Sequence, residues 1–318
     1  TYNLTLRRGI APTITTTVDS IIVNLPLINQ QATRTFNIGN AGQFPLNWVI
    51  SESSSAGDNT EVNNSAEIAA KLNAQYGNQP KGAPDMYHGE EQTDGMGGPD
   101  GFGYTWIDSD EPGGPAFNWV EISTTGTQIT TWSGTIDDGY AVVPLPFSFP
   151  FYGGNYSQIK ICTNGWQSFD VASTSAQYLN SAIPSTAVPN LALYPFWDDI
   201  NITTAGAIYY YNDVANNRFI IEYKGVPHYT TLELYTFQTI IYNDGRIYYQ
   251  YLSMDPVLVN SCTIGTEDAA GTTALQVVYN SAYLHNNLAI KIEKGLGWVE
   301  ENPTSGIINP AGSQLVTV

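Results

Sequence analysis

The sequence predicts an all-β protein of sandwich or barrel class, and three observations carry that prediction. Apolar and polar residues alternate in short runs along most of its 318 residues, the period of half-buried strands. Gly, Pro and Asn clusters punctuate those runs. The composition, with 21 Tyr, 29 Gly and 18 Pro and very little Lys, suits strands and turns. Apolar residues make up 42%, enough for buried cores in two domains. Only 11 Lys and Arg stand against 29 Asp and Glu, a net charge of −18, which repels phosphate backbones and anionic lipid. No apolar run approaches the roughly 20 residues of a membrane span, so neither nucleic acid nor membrane insertion is expected.

The chain opens on "TYNLTLRRGI", where Tyr2, Leu4 and Leu6 alternate with polar residues as in a half-buried strand, and closes on the strand-like "SQLVTV", with Leu315, Val316 and Val318. Strands are expected over 13–18 and 21–25, over 32–38 with Phe36 and Ile38 on one face, and over 45–51, with Gly39, Asn40 and Gly42 turning the chain. These amount to half of an immunoglobulin-like sandwich. Residues 53–97 differ. "SAEIAAKLNAQYG" predicts one short helix over about 65–76, with Ser65 as N-cap, Ile68, Leu72 and Tyr76 at four-residue spacing, and Gly77 as its stop. The rest of this segment has the Gly and Pro content of a linker.

From Phe102 to Ile292 the pattern is continuous β. "AIYYYNDVANNRFIIEY" reads as a hairpin around Asn212–Asn217, and "LYTFQTIIYNDGRIYYQYL" as another around the "NDG" turn. "TIGTED", "ALQVVYN" and "LAIKI" follow as short strands. Successive antiparallel strands imply a sandwich of about ten strands. The closing stretch "GWVEENPTSGIINPAGSQLVTV" returns to the style of the opening.

Cys162 in "ICTNGW" and Cys262 in "SCTIGT" sit in strand-like runs with no further Cys or nearby His to complete a zinc set. A Cys162–Cys262 disulfide is the expectation, weighed against two separately buried thiols. It would stabilise by about 4–5 kcal/mol in the chain-entropy model and imply an oxidising location.

Two resemblances organise these segments. "RTFNIGNAGQFPLNW" and "WVEENPTSGIINPAGSQLVTV" resemble the start and end of bacterial immunoglobulin-like repeats of the abnormal-spindle/Hydin and BACON-like kind, whose closing strand looks like "GTYNLTL". That likeness implies one immunoglobulin-like domain formed by 11–52 and 295–318, interrupted by an insertion, with residues 1–10 as a closing strand from this domain, a preceding repeat or a neighbouring copy. "GPDGFGYTWIDSDEPGGPAFNWVEIS", "FPFYGGNYSQIKICTNGWQSF", "LYPFWDDIN" and "VYNSAYLHNNLAIKI" resemble a β-sandwich module of large secreted proteins of Bacteroidetes-type bacteria, distantly similar to nidogen-type extracellular domains. It implies a larger antiparallel, jelly-roll-like sandwich over 98–294, extracellular or cell-surface display, and no catalytic residues. The cysteines stand where that pattern usually has Ser or Ala.

Several residues invite a chemical reading. Asp108, Asp110 and Glu111 in "DSDEPGGP" place carboxylates beside a tight turn, so calcium is the candidate cofactor, against a solvated turn whose Asp oxygens bind local amides. Asp198 and Asp199 in "FWDDIN" and Asp137 and Asp138 in "TIDDGY" are paired carboxylates, but strand neighbours point to opposite faces, so a glycosidase pair is disfavoured. Metal bridging with the Asp108 cluster is the alternative use. His228 or His285 with Ser261 and an Asp would make a hydrolytic triad, yet no Gly-x-Ser-x-Gly elbow is present. Trp119, Trp166 and Trp197 read as core. Tyr runs expose alternate rings, making Tyr210, Tyr248 and Tyr249 candidate glycan contacts. Asn155 and Asn201 open sequons in surface loops.

The resulting expectation is a non-enzymatic extracellular fibre, stalk or sheath subunit. Its copies would join by strand complementation through Tyr2, Leu4, Leu6, Leu315, Val316 and Val318. The partners would be other copies of itself. The alternatives are a carbohydrate-binding or adhesin module with polysaccharide as partner, and an accessory domain of a secreted peptidase.

Overall fold

A computed structural model describes residues 11, 13–17, 33–49, 60–83, 86–92, 95–231, 233–255, 258–294, 303 and 305–317. The chain forms two compact units, Thr1–Gly57 with Leu296–Val318, and Asp58–Gly295. In chain order the first unit begins with β1 (Ile14–Thr16), β2 (Thr35–Asn40) and β3 (Leu46–Val49). The second holds α1 (Thr60–Tyr76), β4 (Met96–Gly97), β5 (Tyr104–Asp108), β6 (Thr127–Gln128), β7 (Ser133–Gly134), β8 (Gly139–Phe151), β9 (Gly154–Cys162) and β10 (Gln167–Ser168). It continues with β11 (Ala192–Trp197), β12 (Ala207–Asp213), β13 (Arg218–Pro227), β14 (Leu234–Tyr242), β15 (Ile247–Met254), β16 (Thr263–Glu267), β17 (Ala274–Tyr279) and β18 (Leu288–Lys294). β19 (Ser305–Ile308) and β20 (Ser313–Thr317) return to the first unit. All strand pairings are antiparallel, and α1 is the single α-helix among the described residues.

In the first unit, β1-β2-β20 and β19-β3 form two small sheets. Ile38, Trp48, Ile308 and Val316 make the core, flanked by Phe36 and Leu46. Phe36 lies opposite Val316 in the β2–β20 register. Alternation alone places these residues inward, and Asn40 adds a polar tie. Its buried amide donates to Phe44 O at 2.7 Å and Ile308 O at 3.0 Å while its oxygen accepts the Gly42 amide at 2.9 Å. The side chain thus satisfies backbone groups of the β2–β3 loop and of β19 that burial would otherwise orphan. Tyr2, Leu4, Leu6, Val318 and the strand expected over 21–25 lie outside the described residues.

The second unit is a β-sandwich with sheet orders β17-β16-β11-β10-β9-β8-β7 and β4-β5-β18-β15-β14-β13-β12-β6. Among the described residues fifteen strands, several of two residues, stand where about ten were expected. Inward residues of both sheets form one core. Its many tyrosines have a definite use. Strand irregularities fall between Tyr194 and Trp197 and between Ile264 and Gly265, where a bulge leaves ladder groups unpaired. From the facing sheet, Tyr251 donates its hydroxyl to Pro195 O at 2.6 Å, and Tyr249 donates to Gly265 O at 2.9 Å. Tyr223 likewise donates to Cys162 O at 2.6 Å. Each ring therefore packs as a core aromatic and closes a carbonyl of the opposite sheet.

Trp166 and Trp197 are buried, and both indole N–H groups donate to Gln177 O. Trp119 differs from the core expectation, being half-buried with a buried indole nitrogen lacking a hydrogen-bond partner. It belongs to an extended segment whose backbone is bound by buried side chains of the eight-stranded sheet. Gln250 brackets Asn118, and Glu222 accepts the Ile122 amide at 3.0 Å.

The expected disulfide is not formed, since Cys162 and Cys262 are both free and buried. Cys162 packs with Trp166, Ile183, Ala192, Tyr194 and Trp197, whereas Cys262 belongs to the main sandwich core. β10 and β11 also separate β9 from β16 in the sheet. Strand spacing of about 4.8 Å puts the two positions beyond the roughly 7 Å Cα limit of a disulfide. Burial pushes the Cys162 thiol up to about 12, leaving it unreactive.

α1 begins at Thr60, so Ser65 lies inside it rather than capping it. Gly77 does end it, donating to Asn73 O at 2.9 Å where a Cβ would meet that oxygen at 2.5 Å. Its buried side carries Ala69 with Leu72, and Ile68 is exposed. The rotation follows from Asn73, whose amide brackets Ala182 through bonds of 2.8 and 2.9 Å.

Candidate functional site

The structure gathers titratable groups where β11 leaves its sheet. Asp198 and Asp199 follow Trp197, and an antiparallel bridge between Ile200 and His228 draws the β13 exit beside them. The Tyr229 amide donates to Asp199 O at 2.7 Å, fixing that corner. Asp137 and Asp138 arrive from the β7–β8 turn, where Thr135 Oγ1 accepts the Asp138 amide at 2.7 Å. The carboxylate oxygens of Asp137, Asp138 and Asp199 lie within 4.8 Å of one another. Such a donor set could contribute to coordinating a divalent cation.

A cation of the protein's own stands among them. Lys81 Nζ lies 3.0 Å from Asp137 Oδ2, 2.6 Å from Asp138 Oδ1 and 3.2 Å from Asp199 Oδ1. It also sits 4.7 Å above the Tyr178 ring and 4.6 Å from that of Tyr229, at cation–π distance. Burial, helped by the Asp198 and Asp138 charges, lifts the Asp199 carboxyl to about 6 against the pull of Lys81. Burial disfavours the Lys81 charge, but the carboxylates outweigh it and hold the ammonium above its ordinary range. Beside this cluster a cavity of about 290 Å³ is lined by Asp198, Asp199, His228 and Tyr178 and walled on one side by Pro80, Gly82 and Ala83.

Ser261, Asp198 and His228 do meet, but their wiring is not that of a nucleophilic triad. Ser261 is fully buried, and Asp198 Oδ2 and Leu258 O each lie 2.6 Å from its hydroxyl as acceptors. Asp198 Oδ1 faces His228 Nε2 at 3.5 Å. Thr230 faces His228 Nδ1 with its amide at 3.3 Å and its hydroxyl at 3.1 Å. A hydrolytic base must instead accept from the serine and be oriented by the carboxylate. The carboxylate here stands between the two. His285 is exposed and pairs with Asp110 Oδ2 at 2.9 Å.

The Asp108, Asp110 and Glu111 carboxylates do not converge as the other three do. Buried Asp108 accepts the Asp110 and Glu111 amides on Oδ1, at 3.0 and 3.2 Å, and the Tyr283 hydroxyl on Oδ2 at 2.7 Å. Glu111 Oε1 accepts the Gly95 amide at 3.3 Å, while Asp110 holds His285. The tyrosine candidates divide by face. Tyr249 is fully buried in the sandwich, so it is no glycan contact. Tyr210 stacks on Phe219 against the same core, and Tyr248 packs with Tyr242 on the outer face of the eight-stranded sheet. Asn155 is exposed on β9, and Asn201 Oδ1 accepts the Thr203 amide. Leu315 faces outward on β20 while Val316 is core.

Lys81, Tyr178 and Tyr229 were not singled out by sequence reasoning. The only local signal was a lone lysine in a Gly- and Pro-rich stretch of an acidic chain.

A family model described as NIDO related matches residues 114–300. No solved structure matches the chain.

Proposed function

The chain belongs to the NIDO-related family, and from that premise we propose that it is a non-catalytic structural or adhesive module of an extracellular or cell-surface protein that assembles through its strand edges. One observation carries the assembly reading. Ile307 and Leu315 are 71% and 51% exposed, on β19 and β20, and each of these strands has a single partner among the described residues. Outward apolar side chains on a strand with an unpaired edge favour the addition of another strand. The likeness of residues 1–10 to the closing strand of an immunoglobulin-like repeat supplies that strand, from the same chain or from a neighbouring copy. The wiring of Ser261, Asp198 and His228 is not that of a hydrolytic triad, in keeping with a non-catalytic module. A net charge of −18 opposes association at long range, so assembly rests on short-range pairing and strengthens with salt.

The test is electron microscopy with sedimentation on the 318-residue chain, on a variant lacking residues 1–8, and on Leu315→Lys. Filaments from the first that disappear in both variants are expected. Monodisperse monomers from all three at high salt would overturn assembly through these edges.

A further inference from the structure

Lys81 is one of six lysines, and the sandwich supplies a fitted receptacle for its side chain. Three carboxylate oxygens surround the ammonium, Asp138 Oδ1 as its hydrogen-bond acceptor, and two tyrosine rings flank it, at the distances given above. The receptacle is held by bonds that do not involve Lys81. Asn164 Nδ2 donates to Asp138 Oδ1 at 2.9 Å, Thr135 fixes the Asp138 backbone, and the Tyr229 amide holds Asp199 O. Three oxygens suit the three N–H donors of a primary ammonium, and aromatic faces attract an organic cation. A calcium ion seeks six to eight oxygens and gains nothing from the rings.

The strap that brings Lys81 in is the segment 77–83 that follows α1. Gly82 has φ of +74°, and a Cβ there would come within 3.1 Å of the Tyr229 ring, so the backbone lies directly on that ring. Pro80, Gly82 and Ala83 form one wall of the 290 Å³ cavity whose other walls include Asp198 and Asp199. Lifting Lys81 would therefore join the cavity to the cradle and leave three carboxylates around an ammonium-sized gap.

We propose that the cradle of Asp137, Asp138, Asp199, Tyr178 and Tyr229 is a binding site for a lysine side chain, filled in cis by Lys81 as a latch on the strap and open to a lysine from another polypeptide. This goes beyond assembly through strand edges and does not depend on it.

Chemical rescue tests the site. Lys81→Ala retains Cβ and removes the equivalent of n-propylamine, so that amine is the probe. The variant should melt at a lower temperature, and hydrogen exchange in the strap should be about tenfold faster. Propylamine should restore both in part, and n-propanol, sodium chloride at equal ionic strength and calcium should not. Lys81→Met, whose side chain refills the stem channel, should resist rescue. An amine no better than sodium chloride overturns the proposal, and rescue by calcium alone reassigns the cradle to a divalent cation. If Lys81→Ala does not fold, the unaltered chain decides. Nα-acetyl-lysine amide should compete with Lys81 and speed strap exchange, and unchanged exchange up to the solubility of the probe overturns the proposal.

Discussion

Two acidic clusters of this protein, each of three carboxylates, behave differently in three dimensions. Asp108, Asp110 and Glu111 are neighbours on one turn, and their oxygens bind that turn's own amides, Gly95, Tyr283 and His285. Asp137, Asp138 and Asp199 come from two separate chain segments, and their oxygens converge on one ammonium. Carboxylates close in sequence can be satisfied by nearby backbone donors, as in any Asx turn. Carboxylates brought together by tertiary structure have few such donors left and must find a cation or a proton.

The sharpest way to break this contrast is to remove the cation. Lys81→Met should cost up to about 3 kcal/mol at pH 8, because it leaves buried Asp199 and half-buried Asp137 and Asp138 uncompensated. The cost should shrink on acidification. Asp199 has its folded pKa raised from 3.8 to about 6, so its contribution to stability is fullest below its unfolded pKa and is lost as pH rises through about 6. Denaturation of both proteins at pH 5 and pH 8 checks this. A difference independent of pH would mean that Lys81 acts through packing of its stem on Tyr178 and Tyr229.

Asp108→Ala comes next. It should cost about 2–3 kcal/mol, since it orphans two amides and the Tyr283 hydroxyl together. Asp108→Asn should lose much less, because its amide oxygen still accepts both N–H groups. Equal losses in the two variants would show that the charge matters, and with it that a cation rather than the turn holds this carboxylate.

How far the sequence discloses the fold follows the same line between local and distant. The hairpins around Asn212–Asn217 and the "NDG" turn are set by residues a few positions apart, and both form. Tyr209 and Tyr211 alternate with Tyr210 across the sheet, and Tyr248 with Tyr249, as period-two geometry requires. The helix start was misplaced because Ser65 resembles a cap, while the helix is positioned by Asn73 gripping Ala182, 109 residues away. The disulfide expectation failed because strand-like surroundings reveal neither sheet order nor which face a cysteine occupies. Lys81 was invisible for the strongest form of that reason. The carboxylate that accepts from it, Asp138, is 57 positions away, and nothing in its immediate surroundings announces a ligand.

The smallest expected effect sharpens the comparison from the other side. Asp110 and His285 are both exposed, with side-chain accessibilities of 64% and 49%, so Asp110→Ala should shift stability by no more than about 0.5 kcal/mol. If Asp108, Asp110 and Glu111 formed a calcium site instead, calcium would raise the melting temperature of the unaltered chain, and Asp110→Ala would abolish that rise. Thermal melts of the two proteins with and without calcium separate these outcomes. Superimposable shifts in the two proteins mean that Asp110 only decorates the turn. A calcium response lost in Asp110→Ala would place the metal at the local cluster and overturn the rule that neighbouring carboxylates here serve their own backbone.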